Sequence, residues 1–192
     1  MPGQILILIL GFFFHAITFL LLARFFMQWQ RVPFHNQIGG FVVAATDWLV
    51  RPLRRIIPGL LGLDLASLLP AWILQTVYVF IELGLGGMLH GEPVSMVLGL
   101  WGLGLIGLLR IAMYLIGAVV LLSALLSWIN PYAPAAPFFH RLAEPFLRPL
   151  RRIVPTIGNV DISPLLLLLG LQIVLLVLNG LNRDLVLQLF AA

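Results

Sequence analysis

Apolar positions along this chain gather into four stretches, each long enough to cross ~30 Å of hydrocarbon at about 1.5 Å per residue. The first runs from about Gln4 to Met27 and the second from about Leu65 to Leu89. The third begins between Val94 and Gly107 and is placed at about 107–128; the fourth covers about 162–181. Pro93 to Asn130 is long for one simple span. Gly99, Gly102, Gly104 and Gly107 fit a separate short helix, a re-entrant turn or a close-packed helix entry. Glycines in membrane helices usually mark tight helix contact, which favours packing. The first stretch lacks the charged n-region and cleavage site of a signal peptide, so it is read as a retained helix.

Polar residues concentrate in two long loops, 28–63 and 129–160, whereas only a few residues around His90–Pro93 join the second and third stretches. These loops carry an internal repeat. Arg51-Pro52-Leu53-Arg54-Arg55-Ile56-Ile57-Pro58 returns as Arg148-Pro149-Leu150-Arg151-Arg152-Ile153-Val154-Pro155, with seven of eight positions identical. The shift of 97 also carries Asp47 onto Glu144, Asp64 onto Asp161 and Gln75 onto Gln172; upstream, a shift of 99 carries Trp29 onto Trp128. The chain thus divides into a first repeat, 1–92, and a second, 93–192. Each repeat holds two spans, an even number, so the copies insert as parallel repeats about an axis along the membrane normal. The expected fold is an all-α polytopic membrane protein with amphipathic interfacial segments in both loops.

Charge orients this arrangement. Arg31, Arg51, Arg54 and Arg55 lie in the first loop, and Arg141, Arg148, Arg151 and Arg152 in the second. The positive-inside rule then puts both loops in the cytoplasm and both termini in the periplasm. Composition agrees with lipid as solvent: 61% of residues are apolar and 9% charged, against roughly 25% charged in soluble domains. All 11 basic residues are Arg, which suits bidentate capture of phosphate or carboxylate. With charge this sparse, and clustered beside apolar runs, anionic lipid headgroups are nearer partners than nucleic acid. The absence of Cys excludes disulfides and thiolate metal sites.

Three sets of residues could carry chemistry. In the repeated motif Pro52 and Pro149 are expected to open a short helix or turn. There Arg51, Arg54 and Arg55, and in the other copy Arg148, Arg151 and Arg152, share one face at i, i+3, i+4. Such a face fits an ordinary positive-inside anchor or a docking surface for anionic lipid or a protein partner. The second set is a polar stripe, Asp64, Gln75 and Glu82, repeated as Asp161, Gln172 and Asn179. Steps of eleven and seven return to within about 20° of one helical face. It fits interhelical hydrogen bonding or a polar path between the copies. Asp64 and Asp161 are also expected to cap the spans they precede. The third is an intramembrane ion pair between Glu82 and Arg110, expected because their depths match and unpaired charge there is costly. His15 is expected to be a packing residue. His35, His90 and His140 show no metal-ligand spacing, and no nucleophile–base set or phosphate loop is visible. No cofactor, metal or enzymatic activity is expected.

At Thr46-Asp47 through Pro58 with Asp64, and Glu144-Pro145 through Pro155 with Asp161-Ile162-Ser163-Pro164, the chain resembles the YggT family of small bacterial membrane proteins. The resemblance covers both halves. The first copy departs from the family pattern, with Trp48 where Pro is usual and Leu65-Ala66-Ser67 where Ser-Pro is usual. The resemblance implies an inner-membrane protein without established enzymatic activity. It implies links to cell division or osmotic and potassium stress in bacteria, and to haem attachment in cytochrome b6 assembly and chloroplast division in plastids. The expectation is a scaffold or assembly factor that docks anionic lipid, a protein partner or another copy of itself. The alternative is a small transporter or channel for ions or osmolytes using the polar stripes.

Overall fold

A computed structural model describes residues 2–34, 36–57, 63–89, 93–154 and 161–190. Pro58, Pro155, His35 and His90 lie outside these residues. Six helices follow one another: α1 (Pro2–Trp29), α2 (Gln37–Leu53), α3 (Leu65–Leu85), α4 (Pro93–Ile129), α5 (Ala136–Arg151) and α6 (Ser163–Phe190). Each half repeats the order span, amphipathic helix, span. Four helices, α1, α3, α4 and α6, are long and apolar enough to cross a membrane, and the protein is a polytopic helical membrane protein.

The two short helices form where apolar residues recur at helical spacing. In α2 the inward face is Gly39, Val42, Thr46 and Val50. In α5 it is Phe138, Leu142, Ala143 and Leu147. Asn36 starts α2, its Oδ1 accepting from the Gly39 amide at 2.6 Å. The motif prolines do not open these helices. Pro52 lies in the last turn of α2, and Pro145 and Pro149 lie inside α5. Each of these prolines forgoes one ladder bond to the carbonyl four residues before it, and the chain turns within the motif just after α2 and α5 end.

α4 is one continuous helix of 37 residues, ~55 Å long, so the glycine-rich stretch is neither a separate helix nor a re-entrant turn. Its glycines are packing surfaces. A Cβ added at Gly104 would lie 2.8 Å from the Thr76 Cα, and one at Gly107 would lie 3.0 Å from Gln75 Oε1. The backbones of α3 and α4 therefore cross at close range, as small residues allow in membranes. Trp72 closes the same crossing. Its Nε1 donates to the Trp101 carbonyl at 3.1 Å and its ring meets Trp101 edge-on at 5.0 Å. α6 also runs beyond the expected end near Leu181, continuing as helix through Asn182, Arg183 and Asp184.

α3 packs against both α1 and α4, whereas α6 packs against α4 and α5. α2 rests on α1, and α5 on α4. The main core, including Leu21, Leu22, Val50, Leu115, Val120 and Leu147, fills the end of the bundle nearest the amphipathic helices. A smaller core around Tyr78, Val79, Leu83 and Leu103 fills the other end.

Candidate functional site

Each motif copy sits where an amphipathic helix ends and the next span begins. In the first copy Arg54 reaches back to that span. Its Nη2 lies 2.6 Å from Asp64 Oδ2 and its Nε 3.4 Å from Oδ1. The same Nη2 donates to Gln28 Oε1, at the end of α1, at 2.5 Å. Ser67 Oγ donates to Asp64 Oδ2 at 2.6 Å. One guanidinium thereby ties α1, the end of α2 and the start of α3 together. Asp64 is only 4% exposed, so loss of this pairing would leave a buried carboxyl group without its partner. Asp64 stands at the start of α3 but makes no side-chain bond to the helix backbone; its oxygens already serve Arg54 and Ser67.

The second copy repeats the clasp with different neighbours. Arg151 Nε meets Asp161 Oδ2 at 2.7 Å, and its Nη1 meets Glu144 Oε2 at 2.7 Å. Asp161 Oδ1 accepts from the Ser163 amide at 2.9 Å, so here the carboxylate bonds the first amide of the span from one residue before the cap position. Burial alone would raise the Asp161 pKa. Hydrogen bonding with Ser163 and Arg151, together with the Arg151 charge, outweighs it and holds the carboxyl below its ordinary value.

The arginines of each copy therefore do not act as one triad. Arg54 and Arg151 are held by aspartates. Arg51, Arg55, Arg148 and Arg152 are exposed, and among the described residues none is in an ion pair.

The polar stripes diverge more. Gln75 is 1% exposed, and its Nε2 donates to Thr18 Oγ1 on α1 at 2.9 Å. Its counterpart Gln172 is exposed on α6. Thr18 corresponds to Gly117, which offers no hydroxyl. The ion pair between Glu82 and Arg110 is not formed among the described residues. Arg110 Nη1 instead donates to Asn179 Oδ1 on α6 at 3.3 Å, and Glu82 is exposed beside the Tyr78 phenol one turn before it. Depth alone matched the two charges; α4 turns Arg110 toward α6. The His15 ring packs edge-on against Tyr78 at 4.8 Å. His140 Nδ1 and Ser123 Oγ share a hydrogen bond at 2.7 Å. No group of three potential metal ligands occurs among the described residues.

One charged site was missed by reading the spans. Arg24, within α1, is 5% exposed; its Nη2 lies 2.9 Å from Asp47 Oδ1 and its Nη1 donates to Thr46 Oγ1 at 2.9 Å. Its Nε is buried without a partner among the described residues. The signal was present, because an arginine inside an apolar stretch calls for a named partner.

The model of the CCB3/YggT family matches residues 3–85 and 102–182, one segment in each half. The chain is 36% identical over 158 residues to the uncharacterized protein YggT of Escherichia coli strain K12, covering 82% of this chain and 80% of that protein. It is 38% identical over 160 residues to an uncharacterized Vibrio alginolyticus protein, covering 83% and 85%. An uncharacterized Haemophilus influenzae protein is 34% identical over 180 residues, covering 93% and 91%. No solved structure matches the chain. The chain belongs to the CCB3/YggT family.

Proposed function

We propose that this member of the CCB3/YggT family is a non-enzymatic scaffold or assembly factor of the bacterial inner membrane, docking acidic lipid headgroups or a protein partner through Arg51, Arg55, Arg148 and Arg152. The observation that carries the reading is the division of labour repeated in both motif copies. One arginine is clasped by an aspartate (Arg54 by Asp64, Arg151 by Asp161), while its neighbours remain exposed. The clasp ties the segment to the next span and leaves exposed guanidinium groups beside it, which suit phosphate and carboxylate. The arginine bias of the loops supports cytoplasmic loops and periplasmic termini. A transport path along the polar stripes has less support, because Gln75 is closed in by Thr18 and Gly107 while Gln172 is exposed.

The test replaces Arg51, Arg55, Arg148 and Arg152 with Gln and keeps Arg54 and Arg151. The variant is expected to melt like the wild type but to lose enrichment of acidic lipid around it in nanodiscs and its cross-linked partners in native membranes. If all of these persist, the docking reading fails. Orientation is tested separately. The chain has no Cys and Tyr132, before α5, is 95% exposed, so Tyr132→Cys should react with an impermeant maleimide only from the cytoplasmic side.

A further inference from the structure

The two halves leave a half-open cleft between them at the end of the bundle occupied by α2 and α5. It is a cavity of about 250 Å³ walled entirely by apolar side chains, among them Phe19 and Ala23 of α1, Val42 of α2, Ala118 of α4, and Leu142 and Phe146 of α5. An apolar cavity of about 150 Å³ already stays dry and accepts an aromatic hydrocarbon. This larger cleft is equally apolar but half-open, and left unfilled it forfeits dispersion contacts along its walls.

Beside it lies a second recess of about 760 Å³, formed by the turns that lead into α2 and α5. Its lining is different in kind: Asn36, Gln37 and Arg141 contribute polar groups. Arg141 is exposed and makes no ion pair among the described residues. Ile38 and Phe138 line both spaces, so the apolar cavity and the polar recess adjoin. A hydrocarbon chamber next to an uncompensated guanidinium has the chemistry of an amphiphile with an acidic head.

We propose that this joint site holds one acidic phospholipid, with an acyl chain in the apolar cavity and its phosphate on Arg141. Arg is suited to the head, since its planar fork pairs with phosphate oxygens by two parallel hydrogen bonds. The site is single. Under the shift of 97, Arg141 corresponds to Ala44, so the first half has no matching cation. The lipid touches α1 and α2 on one side and α4 and α5 on the other, and so joins the two halves. The site is independent of the motif arginines.

The full chain is placed in nanodiscs holding equal amounts of phosphatidylglycerol and phosphatidylcholine, and lipid retained on release is counted by native mass spectrometry. Wild type should keep one lipid, with phosphatidylglycerol preferred about tenfold, the scale of one good charge-assisted contact. Arg141→Gln should abolish the preference while one lipid is still kept. Ala118→Phe, which fills the cavity, should lower retention of either lipid by about tenfold. Inorganic phosphate should not displace the lipid. The proposal is overturned if Arg141→Gln keeps the preference, if inorganic phosphate releases the lipid, or if Ala118→Phe melts like wild type and retains it. Should Ala118→Phe fail to fold, Arg141→Gln decides, because Arg141 is exposed and supports no packing.

Discussion

The two clasps, Arg54 with Asp64 and Arg151 with Asp161, descend from one motif but sit in different surroundings. In the first, the aspartate is 4% exposed and its arginine is shared with Gln28 of α1. In the second, the aspartate is 28% exposed and its arginine is shared with Glu144, itself 50% exposed. The residue that corresponds to Glu144 is Asp47, and it pairs with the buried Arg24 instead. Arg24 in turn corresponds to Ser123, which bonds His140. Duplication kept the clasp and exchanged its neighbours. The cause is position: α3 lies between α1 and α4, while α6 packs on α4 and α5. The same sequence unit is interior wall in one half and rim in the other.

Removing the arginine of each clasp should break this comparison open. Arg54→Ala leaves the buried Asp64 without its partner, which typically costs about 3–5 kcal/mol. Arg151→Ala leaves Asp161 and Glu144 within reach of water and should cost about 1 kcal/mol or less. Thermal unfolding in one detergent, read by gel filtration of the heated samples, ranks the two. Equal losses would mean that the halves are equivalent after all.

The next contrast is between glycines. Gly104→Ala drives a methyl group against the Thr76 backbone and should destabilise by about 1–3 kcal/mol, the usual range for overpacking. Gly170 on α6 has open space around the same position. Gly170→Ala should be neutral or add up to about 1 kcal/mol through helix propensity. The same melting assay checks both, and a destabilised Gly170→Ala would show that α6 has a close neighbour at that position.

Much of this was legible in the sequence, and the limits have physical causes. Hydrophobic length found the four spans, and the two Arg-Pro-Leu-Arg-Arg copies stand at the ends of α2 and α5. Amphipathic segments are expected in both loops, where α2 and α5 form, but their inward faces are given by packing. The prolines misled because the packing of the inward faces of α2 and α5 carries these helices through Pro52, Pro145 and Pro149 despite the lost ladder bonds. Glu82 and Arg110 were matched by depth, but depth does not give the rotation of a helix about its axis. That rotation is set by packing such as Gly104 on Thr76. The inequality of Gln75 and Gln172 was visible only as a missing hydroxyl, Gly117 in place of Thr18. Periodicity places a residue on a face but does not say which face meets protein.

That inequality gives a third contrast. Gln75→Leu removes a buried hydrogen bond and leaves Thr18, itself 0% exposed, without its amide partner. The expected cost is about 1 kcal/mol, in line with interhelical bonds in membranes. Gln172→Leu should be neutral or stabilising, because an exposed amide on a membrane helix gains nothing from lipid. Melting of the two variants in the same lipid discs decides it. A loss at Gln172 as large as at Gln75 would mean that Gln172 has a partner of its own.

The smallest effect concerns acid. The folded protein holds the Asp161 carboxyl below its ordinary pKa, so folding favours its ionised form. That contribution is fully present above the unfolded value of about 4 and is lost as pH falls through the lower, folded value. Asp161→Asn has no such proton to bind. The gap in melting temperature between wild type and Asp161→Asn should therefore be constant from neutral pH down to about 5 and narrow below it. Because other carboxylates titrate in both proteins, taking the difference isolates this one. Asp161 keeps partial access to water, so the narrowing is expected to be smaller than any of the losses above. A gap that does not change on acidification would show that Arg151 and Ser163 hold the segment by geometry alone, without favouring the charged carboxylate.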